Sequence, residues 1–116
     1  MQRDRLLIAE MIEAAERIVE LIGTFSGADL ALDRDRRDAV LWNFTVLGEA
    51  ANGVSDSTRL LRPELGWRDP VRLRNRIVHG YASVDVDILV AAAQDDLPTL
   101  LDGLRSMAAE LSDSDE

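Results

Sequence analysis

Apolar side chains in this sequence return every three or four residues and almost nowhere alternate, which leaves little besides helices to build with. From Asp4 to Ile22, Leu7, Ile8, Met11, Ile12, Ala15, Ile18, Val19 and Ile22 fall on one side, and Glu10, Glu13, Arg17 and Glu20 on the other. That is the pattern of an amphipathic helix, and Gly23 ends it. Thr24 to Asp33, with Ser26-Gly27 and other turn formers, reads as a connection. A second helix is predicted from about Arg34 to Val54, with Val40, Phe44, Leu47, Ala51 and Val54 on one face. Gly48 inside it costs about 1 kcal/mol relative to alanine, and a close helix crossing would account for its presence. Ser55 to Trp67 is looser, with one helical turn at Ser57 to Leu61 ended by Pro63. Asp69-Pro70 predicts a third helix, Asp69 capping and Pro70 at the first helical position, running to about His79 and closed by Gly80. A last region opens at Ser83 or Asp85 and carries Ile88, Leu89, Ala92, Leu97, Leu100, Leu101 and Leu104 at helical spacing. Pro98 lies inside it, so either the helix kinks or Asp95-Asp96 caps a new one. With no strand bounded by hairpin turns, the expected fold is all-α, an up-and-down bundle of four main helices.

A chain of 116 residues is expected to form one domain, here residues 1–111, with an acidic, flexible tail at 112–116. The absence of cysteine removes disulfides, thiolate nucleophiles and sulfur-ligated zinc, and fits a reducing compartment, so the cytoplasm is the expected location. The N-terminal apolar stretch is broken by Glu10, Glu13 and Glu16, and the longest uninterrupted apolar run, Ile88 to Ala93, is too short to span a bilayer. Neither a signal peptide nor a membrane span is expected.

A net charge of −9 argues at long range against a polyanionic partner, but the distribution points the other way. All 13 basic residues are arginine, and six of them, Arg59, Arg62, Arg68, Arg72, Arg74 and Arg76, fall within residues 59–76 beside only Glu64 and Asp69. From 82 to 104 there are aspartates and no base at all. Guanidinium forks suit phosphate and carboxylate.

Most site chemistries fail on inventory. One histidine and no cysteine make a poor metal site, Asp85 and Asp87 lack the rest of a calcium loop, and no glycine-rich phosphate loop or nucleophile elbow occurs. What remains is Arg72-Leu73-Arg74-Asn75-Arg76-Ile77-Val78-His79-Gly80-Tyr81. At about 100° per residue, Asn75 and His79 stand one turn apart, where the amide can orient the imidazole, and Arg72 returns to nearly the same side. Arg74 points elsewhere on an ideal helix, and meets His79 only if the helix end distorts or a second copy faces it. His79 reads either as a dipole-favoured residue at a helix C-terminus or as a general acid or base. Cleavage of RNA through its 2′-hydroxyl is served by a base, an acid and a cation for the phosphorane, and one chain offers a single histidine. The inventory therefore permits a metal-free ribonuclease only as a symmetric dimer. Glu49 and Asn43 read as solvent-exposed or helix-bonding groups, and Trp42 and Trp67 as packing.

Arg74, His79 and Tyr81, set as Arg-Asn-Arg-Ile-Val-His-Gly-Tyr, resemble the signature of HEPN-domain proteins of the HepT type, toxins encoded beside a minimal nucleotidyltransferase (MNT) antitoxin. Leu47-Gly48-Glu49-Ala50-Ala51, Pro63 with Trp67, and Asp96-Leu97-Pro98 also match that family's pattern, so nearly the whole chain is covered. The resemblance implies a homodimeric HEPN bundle of four to five helices, with the motifs facing across the interface. It implies a metal-independent endoribonuclease of a type VII toxin-antitoxin system acting on tRNA or mRNA, with Arg74 and His79 catalytic and Asn75, Arg76 and Arg72 supporting. Tyr81 would be the site of AMPylation by the MNT partner, which uses ATP, while the chain itself would need no cofactor. Arg72 departs from the small or apolar residue expected before the signature and would add a phosphate contact. The rival reading is a non-catalytic nucleotide-binding or scaffold subunit of the nucleotidyltransferase complex.

Overall fold

The computed structural model describes residues 2–114, the side chains of residues 82 and 114 apart. Seven α-helices follow one another: α1 (Gln2–Ile22), α2 (Gly27–Leu32), α3 (Arg34–Gly53), α4 (Asp56–Arg59), α5 (Arg68–His79), α6 (Val86–Ala91) and α7 (Leu97–Ser114). No strand occurs among the described residues. The chain is therefore all-α, as its periodicity requires. α1 packs along α3 on one side and α7 on the other, and α3 in turn carries α5. The core lies between α1, α3 and α7 and is built from Ile8, Met11, Ala15, Ile18, Val40, Phe44, Leu47, Leu104 and Met107, all essentially inaccessible to solvent.

Local chemistry decides the element ends, at α2, at the start of α5 and at the end of α7 differently from expectation. The segment read as a connection contains α2, because Ser26 forms a capping box with Asp29: the Asp29 amide donates to Ser26 Oγ at 3.1 Å and the Ser26 amide to Asp29 Oδ2 at 2.9 Å. Two satisfied donors and a buried Leu30 outweigh the turn-forming composition. α5 begins at Arg68, so Asp69 and Pro70 lie inside its first turn and Asp69 is not the N-cap. Proline is still tolerated there, since first-turn amides have no partner within the helix. Between α6 and α7 the chain neither breaks nor restarts at Asp95-Asp96. Residues Ala92–Asp96 form a π-helical segment in which the Leu97 amide donates to the Ala92 carbonyl, shifting the ladder just before Pro98, which has no amide to offer. Gln94, on this segment, donates to the carbonyls of Gly23 and Phe25 at 3.1 Å each, tying it to the end of α1. α7 continues through residues 112–114 of the stretch read as a tail, and residues 115 and 116 lie outside the described residues.

The start of α1 is fastened to the connection between α3 and α5 by one buried carboxylate. Asp4 accepts from the Ser55 amide at 3.0 Å, from Ser55 Oγ at 2.6 Å and from Thr58 Oγ1 at 2.6 Å. Burial alone would push its pKa up, but the hydrogen bonds from Ser55 and Thr58 outweigh that and hold it below the ordinary aspartate value. Asp4→Asn should lower the unfolding free energy by about 1–3 kcal/mol at neutral pH. A carboxyl lowered in the folded state stabilises above its unfolded pKa and loses that contribution as pH falls through the folded value. In denaturant titrations the gap between wild type and variant should therefore close below about pH 4. A gap that persists into stronger acid would contradict this role.

Candidate functional site

α5 carries the sequence-named residues at the edge of the bundle. It rests chiefly on α3 and buries only Ile77 fully, with Val71 and Leu73 half-buried beneath it. Its outer side is a ridge on which Arg68, Arg72, Asn75, Arg76 and His79 are all exposed. Spacings of three, four and seven residues keep these groups on neighbouring sides of a regular helix.

The crossing of α5 over α3 is set by Gly48. A Cβ there would lie 2.6 Å from the Pro70 carbonyl oxygen and closer still to Arg74 Cβ, so no larger residue allows this approach. The close crossing anticipated from the sequence is thus present. It lays the Arg74 side chain along α3, where its guanidinium pairs with Glu49 and donates to Asn75 Oδ1 at 2.8 Å. Arg74 Nε is buried without a hydrogen-bond partner. Glu49 is therefore part of the site, and only its place beside Gly48 signals this in the sequence.

The expected Asn75–His79 pairing is not made. The Asn75 amide oxygen is engaged by Arg74 instead, and His79, exposed near the end of α5, has no hydrogen bond among the described residues. Arg74 faces α3 and His79 faces outward, so one chain does not bring the two together. Arg72 lies 3.9 Å from Asp69, and neither Arg68 nor Arg76 has an ion-pair partner among the described residues. Arg59 and Arg62 belong to the framework: Arg59 donates to the Val54 carbonyl and Arg62 to that of Leu61, and Arg62 pairs with Glu110. The basic cluster read from the sequence is accordingly reduced to the arginines on α5.

Past Gly80, Tyr81 opens a tight turn closed by the Ser83 amide and hydroxyl on the Gly80 carbonyl, both at 2.9 Å. The Tyr81 side chain reaches the start of α3, and its hydroxyl donates to Asp38 Oδ1 at 2.9 Å. Burial, then the hydrogen bond to Asp38 and its charge, push the phenol pKa above the ordinary value against the opposing charges of Arg37 and Arg34. Asp38 is a partner sequence reasoning missed, since it stands 43 residues away.

Trp42 also departs from expectation. Trp67 is buried and donates Nε1–H to the Arg62 carbonyl at 2.9 Å, as a packing residue should. Trp42 is 65% exposed, and Val78 on α5 is 53% exposed. α3 and α5 run antiparallel, tied at one end by Glu49–Arg74 and at the other by Asp38–Tyr81. Trp42 and Val78 fall between these ties along their helices, and each leaves apolar surface uncovered in the single chain. Among the described residues no three His, Asp or Glu side chains converge as a metal-ligand set, and no helix is long and apolar enough to cross a membrane.

A family described as ribonuclease HepT-like matches residues 11–107. A probable ribonuclease HepT of Thermococcus cleftensis is 30% identical over 93 residues, covering 80% of this chain and 84% of that protein. A protein of Methanocaldococcus jannaschii named as an RNase is 23% identical over 96 residues, covering 83% of this chain and 88% of its own. No solved structure matches the chain at a significant level.

On a solvent-exposed helix, glycine to alanine stabilises by about 1 kcal/mol. At Gly48 the sign should reverse. Gly48→Ala is expected to lower the thermal midpoint and to release Arg74 from Glu49, because overpacking against backbone costs about 1–3 kcal/mol. A stabilised Gly48→Ala protein would contradict the crossing.

Proposed function

The chain belongs to the ribonuclease HepT-like family, and on that premise we propose that it is a metal-independent endoribonuclease acting as a homodimer. In this reading it is the cytoplasmic toxin of a type VII toxin-antitoxin pair and cuts tRNA or mRNA. The observation that carries the proposal is that one chain holds Arg74 against Glu49 and leaves His79 exposed, while Trp42 and Val78 leave apolar surface uncovered on the same pair of helices. A second copy laid on this face would bury that apolar surface and bring the His79 and Arg74 side chains of both copies together.

In the reaction one His79 takes the proton of the RNA 2′-hydroxyl as its oxygen attacks the adjacent phosphorus. The partner subunit's His79 delivers a proton to the departing 5′-oxygen, leaving a 2′,3′-cyclic phosphate. Arg74 offsets the charge on the phosphorane. Asn75 holds the Arg74 guanidinium, and Arg72 and Arg76 on the outer ridge of α5 receive flanking phosphates. The chain needs no cofactor of its own; ATP is the substrate of an MNT-type nucleotidyltransferase that transfers AMP to Tyr81. The attached nucleotide adds a bulky anion near the end of that ridge, where it competes with RNA for charge and space.

His79→Ala should lower cleavage of end-labelled RNA by about 10²–10⁴-fold with helix content and dimer retained, and EDTA should leave the wild type unaffected. Trp42→Glu should give a monomer by sedimentation and lose cleavage with it. RNA affinity should fall steeply with salt, as binding through phosphate contacts does. Full cleavage by the His79→Ala protein would overturn the proposal. A parent protein that binds nucleotide and cleaves nothing would point to a nucleotide-binding scaffold subunit instead.

A further inference from the structure

We propose that Asp38 positions the Tyr81 hydroxyl and accepts its proton when AMP is transferred to it, an assignment that rests on the modification reading above. The geometry is specific. Tyr81 is half exposed, so an incoming enzyme can reach it, yet its hydroxyl is not free to turn, because Asp38 Oδ1 accepts from it at 2.9 Å. The turn beneath it is closed twice on Gly80 by Ser83, which fixes the direction in which the ring leaves the backbone. Asp38 is itself steadied by Arg34, one turn earlier on α3, whose Nε lies 3.9 Å from the other carboxylate oxygen. The charged groups felt at the hydroxyl are Asp38, Arg37 and Arg34, all on α3.

This arrangement answers a chemical need. A phenol held protonated is a poor nucleophile, and transfer requires its proton to leave as the new bond forms. The Tyr81 oxygen attacks the α-phosphorus of ATP, and the bond from that phosphorus to the pyrophosphate oxygen breaks. The phenolic proton passes to Asp38 and then to solvent, and pyrophosphate departs. The product phosphodiester is an anion, and Arg34 and Arg37 supply positive charge beside it, so the Asp38 carboxylate is not left facing like charge alone.

The test incubates the full chain with its cognate minimal nucleotidyltransferase and α-phosphate-labelled ATP, and reads label and intact mass. Wild type should take up AMP and Tyr81→Phe should not. Asp38→Asn should label at least about tenfold more slowly with an unchanged KM for the chain. Its rate should rise with pH in proportion to the phenolate present, whereas the wild-type rate should already be level. Asp38→Glu should recover part of the rate with the wild-type pH profile. An Asp38→Asn protein that labels at the wild-type rate, while Tyr81→Phe stays blank, overturns the role of Asp38 alone. Label on Tyr81→Phe, or none on wild type, removes the modification reading and this assignment with it. Should Asp38→Asn lose its helix content, Asp38→Glu decides: a rate that climbs with phenolate would overturn the proposal.

Discussion

The contact between Gly48 and α5 governs everything that happens at the edge of this bundle. Without a side chain at that position α3 and α5 approach until Pro70 and Arg74 rest against helix backbone, and the antiparallel register is then fixed. Arg74 is delivered to Glu49 at one end, and Tyr81 to Asp38 at the other. A crossing a few ångströms wider would leave both ties unmade. The fold accepts the helix-propensity cost of glycine on a long helix in return for placing two polar partners that no local signal could place.

Charge is used in two ways along this chain. Arg59, Arg62 and Arg36 donate to backbone carbonyls and hold connections in place, and Arg36 also lies 4.4 Å from the centre of the Phe25 ring. Each is also paired with a carboxylate, Arg59 with Asp56, Arg62 with Glu110 and Arg36 with Asp33, so its charge is offset locally. Arg68, Arg72 and Arg76 stand on open helix surface on a chain whose net charge is −9. Attraction of a polyanion has to be local, confined to the α5 ridge and opposed at a distance by the aspartate-rich C-terminal third.

Much of this architecture was legible in the sequence, because periodicity and Gly48 report on packing that a single helix face imposes. The extent of α1 and the length of α3 follow from side chains that repeat at helical spacing, and a helix ending at His79 follows from Pro70 near its start and Gly80 beyond its end. What escaped were features decided by satisfied hydrogen bonds and by contacts distant in sequence. α2 depends on a reciprocal cap between Ser26 and Asp29 in a stretch whose composition favours turns. Asp69 loses the capping role because the chain enters α5 two residues earlier, with Trp67 at the cap. Asn75 turns to Arg74 because the crossing brings that guanidinium within reach, a preference invisible from helical spacing alone. Trp42 looked like packing because tryptophan on a long helix usually is; its exposure follows from α3 having already filled its inner face with Val40, Leu41, Phe44 and Leu47.

The proposed ribonuclease joins these features only if two copies share a pocket. Within one chain Arg74 lies inward against Glu49 and His79 is exposed at the end of an α5 that stays regular through it. The most direct measurement co-refolds wild-type chains with increasing amounts of His79→Ala chains and follows RNA cleavage per wild-type chain. If each reaction needs imidazoles from both copies, mixed dimers are dead, and activity per wild-type chain should fall in step with the wild-type fraction. Constant activity per wild-type chain, however large the excess of His79→Ala, would show that each subunit works alone and would contradict the shared pocket.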